Sequence, residues 1–518
     1  MSKKRPNVLM LVSDQHNYKI SGYMGDKIIS TPNIDSIARN GTVFEKTYCQ
    51  APVCTPSRAS FLTGKYCHSN HCWQNHGVLF PEHKTIAHAF NETGYETCLV
   101  GKMHFGGKNQ FHGFKNRPYG DFWHGLSHQP DPIDMFPNMG GVLHAAISEI
   151  PESLQQEVVT SIEAASFIKD HAALEPEKPW FVCASYCKPH APLAAPARLV
   201  KKYEGRVEYR GIEDGDTYAF EEAPSTQRHI GGLERVSAEQ HKKAREIYYA
   251  CVEYVDDCMG LLLRELDAVG ELENTIIVYI SDHGDLMGNH GLWWKANCYE
   301  EACRVPFVIS GPGVPKGEHR EQLIGLIDLM PTLLDLCKAD IPEDIDGVSL
   351  VPLFDEGNKA FRPHDTIITE YLGFTAISNE IMKSQRGSVH PSFRAIISDE
   401  YKYAEIADVH EGKQVFFDLA KDPKEFVNKI DEPEYASIIR EMSDKLNDPI
   451  GIEEYRAILA ADKKRAEENF RSHVKPSMPS QYRLKDGRMF DAELSLYGAR
   501  WLPVMQEGMS GYIPQKFH

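Results

Sequence analysis

No stretch of this 518-residue chain is apolar over anything near the roughly 20 residues that cross a bilayer, so a helical membrane span is not expected. A cleavable leader is not expected either. The basic start, Met1–Pro6, is followed by an apolar run, Asn7–Val12, that is too short for a signal-peptide core and soon meets Asp14. A basic surface is lacking as well: 56 Lys and Arg stand against 74 Asp and Glu, a formal net charge of −18. Such a field repels phosphate backbones and excludes nucleic acid as the expected partner. Internal repeats, low-complexity tracts and sustained heptads are missing, which excludes solenoids, linker arrays and coiled coils. Twelve cysteines without a leader fit the reduced thiols of a cytoplasmic protein better than a disulfide framework.

What is present is an ordinary globular composition, 42% hydrophobic and 25% charged, over a length that allows two to four units or one large α/β domain with an addition. Asn7–Val12, Trp180–Ser185 and Thr275–Ile280 are short continuous apolar runs bounded by polar residues, the pattern of strands buried on both faces. Helical patterns such as Ile86–Asn91 and Lys242–Leu266 lie between them. The alternation predicts an α/β fold, a large mixed and mostly parallel sheet sandwiched by helices. Ligands in such sheets bind beyond the carboxyl ends of the strands. The three runs end at Ser13-Asp14-Gln15, Lys188-Pro189-His190 and Asp282-His283, so one edge of the sheet is expected to gather titratable and metal-binding groups.

After about residue 360 the pattern changes. Phe393–Ile397, Tyr401–Ile406 and Gln414–Leu419 read as an antiparallel meander, followed by helical segments at Tyr435–Leu446 and Ile452–Phe470. An aromatic, extended tail begins at Arg471. The expected division is a catalytic domain over 1–384 and a smaller C-terminal α+β subdomain with an antiparallel sheet over 385–518.

Cys54-Thr55-Pro56-Ser57-Arg58 runs on to Leu62-Thr63-Gly64, with proline near the start and glycine at the end of a short helix. Cys54 is thus placed at a helix N-terminus, where exposed amides favour an anion. Taken alone, it reads more readily as a small buried hydrophobe. The same stretch, however, resembles the signature of type I sulfatases, whose cysteine a separate maturation enzyme oxidises to formylglycine. Thr31-Pro32-Asn33-Ile34-Asp35, Gly101-Lys102-Met103-His104, Lys188-Pro189-His190, Asp282-His283-Gly284 with Lys295, Asp346–Leu350 and Asp422–Glu425 resemble further blocks of that family in the family's order. The resemblance spans residues 5 to about 430 and implies an alkaline-phosphatase-like fold.

It also implies roles. Asp14, Gln15, Asp282 and His283 would bind one divalent cation together with the modified Cys54, calcium first, magnesium or manganese otherwise. Lys102 and Lys295 would hold the sulfate oxygens, and Arg58 would orient the formylglycine hydrate. One hydroxyl of the hydrate, with Asp282 as base, would attack sulfur while His190 protonates the departing alcohol; His104 would deprotonate the second hydroxyl to expel sulfate. Asn75 falls where relatives place a substrate-contacting amide. An aspartate would be usual at position 15, and Gln15 resembles the branch of choline-sulfatase-like enzymes and phosphonate monoester hydrolases. Lys102 and His104 keep the sulfatase form of their motif, which favours a sulfate monoester, from a carbohydrate or another small organic molecule, as substrate.

A phosphonate monoester hydrolase or phosphodiesterase on the same scaffold is the alternative, and a non-catalytic anion-binding protein is the alternative of another class. Cys67, His68, His71, Cys72 and His76 meet no standard zinc spacing and read as a rim loop. Trp293-Trp294 fits a substrate wall or plain core equally. Neither oligomeric state nor the identity of the ester has a readable code.

Overall fold

The computed structural model describes residues 5–451 other than 76, 107–108, 121–141, 149, 231, 356–357, 359, 372–391 and 407–412, with short pieces beyond 451 that include the strand pair Gln481–Arg483 and Met489–Asp491. Eight strands form the main sheet: β1 (Asn7–Asp14), β2 (Gly41–Tyr48), β3 (Glu96–Gly101), β4 (Asn116–Tyr119), β5 (Trp180–Pro189), β6 (Thr275–Ser281), β7 (Phe307–Ser310) and β8 (Glu318–Gly325). Their order is β8-β2-β7-β6-β1-β5-β3-β4. β7 runs antiparallel to both neighbours and the other pairs are parallel, so the sheet is mixed and mostly parallel as expected.

The continuous apolar runs have a two-sided cause. Along β1, Val8, Met10 and Val12 enter one core while Leu9 and Leu11 enter the other. β6 divides in the same way, Ile276, Val278 and Ile280 against Ile277 and Tyr279. Side chains alternate across a strand, so a sheet covered on both faces needs an apolar residue at every position. One cover is made by α1 (Pro32–Arg39), α3 (Gln156–Leu174) and α4 (Ala238–Ala268), which contribute Ile34, Ile168 and Ile247. α2 (Cys54–Thr63) and α5 (Leu329–Leu336) supply Phe61, Leu62 and Leu333 to the other. α4 begins before Lys242 because Ser237 and Gln240 close a capping box, the Gln240 amide donating to Ser237 Oγ at 3.2 Å and the Ser237 amide to Gln240 Oε1 at 2.8 Å.

The meander is a four-stranded antiparallel sheet, β9 (Ile367–Tyr371), β10 (Phe393–Ile397), β11 (Tyr401–Ile406) and β12 (Lys413–Asp418), in that order. Its first strand lies upstream of residue 385. Helix α6 (Ala436–Asn447) packs Met442 and Leu446 against Ile396, Tyr403 and Phe416. A buried lysine ties this sheet to the larger one: Lys402 Nζ donates to the Cys298 carbonyl at 2.8 Å and pairs with Glu425 at 2.6 Å and Glu300 at 2.8 Å. The expected helix at Ile452–Phe470 lies outside the described residues, a few isolated positions apart, and of the tail from Arg471 only the antiparallel pair Gln481–Arg483 with Met489–Asp491 is described. All twelve cysteines are free and buried. Among the described residues no helix is long and apolar enough to cross a membrane.

Candidate active site

The strands β6, β1, β5 and β3 lie side by side, and their carboxyl ends reach one edge together. Ser13 pairs with Ser281, Asp14 with Pro189, and Gly101 with Ser185. Register therefore brings Asp282 and His283, Asp14 and Gln15, His190, and Lys102 and His104 to the same place. The helix that follows β2 delivers Cys54 as its first residue and closes at Gly64, whose φ of 68° explains the glycine. Cys54 Sγ lies 3.3 Å from His283 Nε2, 3.7 Å from Asp14 Oδ1, 3.4 Å from Lys295 Nζ and 3.8 Å from Lys102 Nζ. The sulfur stands in here for an oxygen of a formylglycine hydrate.

Asp14, Cys54, Arg58, Lys102, Asp282 and His283 are all wholly buried. Burial pushes the Cys54 thiol up, but Lys102, Lys295 and His283 overcome it and hold the group well below the usual thiol range. The site is thus built to stabilise an anion at position 54. Arg58, one turn along α2, donates from Nε to Asp282 Oδ2 at 2.8 Å and from Nη2 to Asp14 Oδ2 at 2.9 Å; Nη1 reaches the Lys102 carbonyl at 2.8 Å and Ser185 Oγ at 2.9 Å. Lys102 Nζ adds a contact to Asp14 Oδ2 at 2.7 Å. The Oδ2 atoms of both carboxylates are thereby engaged, and their Oδ1 atoms approach His283 Nε2, at 3.8 Å from Asp14 and 3.6 Å from Asp282. Burial and Cys54 oppose ionisation of Asp14, but Lys102, His190 and Arg58 drive it far below the carboxylate range. Asp282 is pushed up by its burial, against the pull of Arg58, with Asp14 adding to the rise.

This donor set fits a hard divalent cation. Ligand atoms of Asp14, Cys54, Asp282 and His283 all lie within 4.8 Å of one another. His283 Nδ1 is 3.0 Å from the Gly284 carbonyl, which only accepts, so the proton sits on Nδ1 and the Nε2 lone pair faces the cluster. Arg58 and Lys102 meet the two buried carboxylates at their Oδ2 atoms, and the Oδ1 atoms turn with His283 Nε2 and residue 54 toward a common centre. The Gln15 carbonyl oxygen borders the cluster through Lys295, whose Nζ it meets at 2.6 Å. Backbone strain concentrates here: Gln15, His104, Trp294 and Ala296 all have φ between 54° and 68°.

Other expected residues fall differently. His190 Nδ1 is 2.6 Å from the Ala191 carbonyl and therefore carries the proton, while Nε2 lies 3.9 Å from Asp14 Oδ1. Burial, with Lys102 and Lys295, lowers its pKa to about 4, so at neutral pH the substrate-free protein presents His190 as a proton acceptor at Nε2. Asn75 Oδ1 accepts the Thr55 amide at 3.0 Å, which commits that oxygen to capping α2. His104 hydrogen-bonds to Cys54, and its carbonyl accepts Thr55 Oγ1 at 2.9 Å. His68 pairs with Glu370 at 2.9 Å and His71 tilts against Trp73; among the described residues, the Cys67–Cys72 stretch gathers no metal-binding group. His76 lies outside the described residues. Trp293 is core, its Nε1 donating to His241 at 2.7 Å, and Trp294 is half-buried. Asp285 escaped the sequence reading: its Oδ2 accepts the Gln15 side-chain amide, and nothing but its place three residues after Asp282 marks it. Burial pushes Asp285 up to about 6 against the hydrogen bonds it accepts.

Comparison with known proteins bears on the family and the fold. The family model described as "Sulfatase" matches residues 6–339, and that described as "N-sulphoglucosamine sulphohydrolase, C-terminal" matches residues 288–450. A choline-sulfatase of Rhizobium meliloti (strain 1021) is 30% identical over 461 residues, covering 84% of each chain. Among solved structures, one in complex with its substrate D-glucosamine-2-N,6-O-disulfate has a TM-score of 0.69 at 21% identity, covering 91% of this chain and 99% of the other. A phosphonate monoester hydrolase of Agrobacterium radiobacter also has a TM-score of 0.69 at 21% identity, covering 94% and 99%. These last two establish the shared fold.

Proposed function

Because the chain belongs to the sulfatase family and is accordingly a sulfuric ester hydrolase, we propose that it cleaves a sulfate monoester of a carbohydrate or another small organic molecule, with position 54 as nucleophile. The observation that carries this reading is the pair of ammonium groups, Lys102 and Lys295, within 3.8 Å of the buried Cys54 sulfur, with His283 Nε2 at 3.3 Å beside them. The family uses a divalent metal and formylglycine. Asp14, Gln15, Asp282, His283 and residue 54 would hold the metal, calcium being the preferred candidate for an oxygen-rich set, and the two groups supply positive charge for the sulfate oxygens and a hydroxyl nucleophile.

The chain's own residues do the rest. Lys102 and Lys295 flank position 54 and neutralise the oxygens that otherwise repel a nucleophile. Arg58 keeps Asp14 and Asp282 fixed by their Oδ2 atoms, while the Gln15 and His283 amides hold Asp282 Oδ1 from the other side; the two Oδ1 atoms would serve the metal, and Asp282 would act as base. His104, which hydrogen-bonds to Cys54, would accept a proton at that position. His190 becomes the proton donor once an anionic ester offsets the two lysines that lower its pKa, and its Nε2 is the atom that carries the proton. A separate maturation enzyme converts Cys54, and a cytoplasmic location is our reading of twelve free cysteines. The division into two units is likewise a proposal, with the junction drawn ahead of β9, because that strand pairs with β10 over five residues.

Two measurements test the function. Peptide mass analysis around Cys54 should show a loss of about 18 Da, thiol to aldehyde, in material from the native source. Purified, modified enzyme should then turn over an aryl sulfate faster than the matching aryl phosphonate monoester. Faster phosphonate cleavage replaces this reading with the phosphonate hydrolase one.

A further inference from the structure

Glutamine at position 15 poses a problem that an aspartate does not. A carboxylate offers oxygen in either direction, whereas an amide offers oxygen from one end and a pair of N–H donors from the other, and the two ends have nearly the same shape. A cation-binding site is served by one orientation and spoiled by the other. Two neighbours bear on the choice. Lys295 Nζ, which can only donate, is 2.6 Å from Gln15 Oε1, and Asp285 Oδ2, a carboxylate oxygen, accepts from Gln15 Nε2. Turning the amide over would set N–H groups against an ammonium and oxygen against a carboxylate, both out of reach of water: Gln15 and Asp285 are each 1% exposed.

We propose that Asp285 is a positioning residue that dictates which end of the Gln15 amide meets the cation, and that it returns to the site, one residue removed, the negative charge that Gln15 lacks. This rests on the metal site described above. The two oxygens of Asp285 divide the work. Oδ1 accepts the Met287 amide at 2.7 Å and the Trp294 amide at 3.2 Å, holding the loop that carries Lys295. Oδ2 faces Gln15. The Asp285 carbonyl accepts Asn17 Nδ2 at 2.7 Å, and the Gln15 main chain is pinned by Tyr248, whose hydroxyl donates to the Gln15 carbonyl at 2.6 Å. Only the amide torsion of Gln15 is left to be chosen, and Asp285 and Lys295 choose it together.

The division of labour yields a test by exchange. Asp285→Asn keeps an oxygen for Met287 and Trp294 but turns a donor toward Gln15, which then flips and presents N–H groups to the cation. Gln15→Asp places a second buried carboxylate against Asp285, so the extra charge repels instead of binding. Combining the two restores a donor facing an acceptor, with an oxygen aimed at the cation. Metal-stripped wild-type and variant proteins are titrated calorimetrically with Ca2+, Mg2+ and Mn2+ in turn, and their thermal midpoints are recorded without metal. Loss of such a supporting contact typically weakens metal binding about 10–100-fold, which is the change expected for Asp285→Asn. Gln15→Asp should also bind more weakly than wild type, and the double variant should bind more tightly than either single one. Unchanged affinity in a folded Asp285→Asn, or a double variant no tighter than Gln15→Asp, overturns the inference. Should Asp285→Asn fail to fold, the comparison of Gln15→Asp with the double variant still decides. Wild-type protein that binds none of the three cations overturns the metal site itself, a result distinct from wild-type binding that the substitutions leave untouched.

Discussion

Arg58→Lys is the substitution that bears most directly on how the pocket is held together. It keeps the charge and loses the fork. The guanidinium makes charge-assisted bonds to Asp14 and Asp282 and two more to the Lys102 carbonyl and Ser185, all at 2.8 to 2.9 Å. An ammonium can reach one carboxylate but not both, so one charge-assisted bond, about 1.5–3 kcal/mol, is lost together with two ordinary bonds of about 1 kcal/mol each. The sum, about 3–5 kcal/mol, matches the usual cost of breaking a buried ion pair. At roughly 1 °C per kcal/mol for a chain of this length, the thermal midpoint of chelator-treated protein should fall by about 3–5 °C. Excess divalent cation should recover part of the loss, because a cation bound only to the folded state at 100 times its Kd adds about 2.7 kcal/mol and gives the released carboxylate a new partner. Calorimetric melts of both proteins, with chelator and with calcium, make the comparison. A chelator-treated variant that melts with wild type would show that Arg58 does not clamp the two aspartates.

Three further outcomes are expected. Asn75→Ala removes the cap on Thr55 and should cost about 1 kcal/mol of stability with KM unchanged; a raised KM at full stability returns Asn75 to the substrate. His190→Ala should lower kcat for alkyl sulfates, which need their leaving oxygen protonated, by about 10²–10⁴, and far less for a nitrophenyl sulfate; equal losses on both refute proton donation. Glu301 is held down to about 2, burial being outweighed by Lys19 and His290, so its folded pKa is depressed below 4.5 and its contribution is present above that pH and lost as pH falls toward 2. Denaturant titrations across that window should show the acid loss flattened in Glu301→Gln, by a modest amount because Lys19 is 43% exposed.

Strands buried on both faces announced themselves, since β1 and β6 carry an apolar residue at almost every position, and the convergence of their ends at one edge was legible with them. Cys54 at the start of α2 was equally legible from Pro56 and Gly64. β9 was not: Glu370 interrupts its apolar pattern, and that carboxylate is buried only because His68 and Arg394 come from elsewhere to meet it. The protonated nitrogen of His190, the commitment of Asn75 to α2 and the grip of Asp285 on Gln15 share a cause. Each is a hydrogen bond between partners whose separation in space bears no simple relation to their spacing in the chain, and residue type alone does not say which partner is chosen.

The complete enclosure of Cys54 sets a timetable for making the enzyme. Its sulfur is walled in by Lys102, His283 and Lys295, the last of them 241 positions downstream. A catalyst that must touch this thiol finds it open only while the polypeptide is still emerging or has yet to collapse. On the proposal that a maturation enzyme oxidises Cys54, yield of active protein is set by a race between oxidation and folding, and slower chain completion, cooler growth or a more abundant oxidising partner should each shift it toward the competent product.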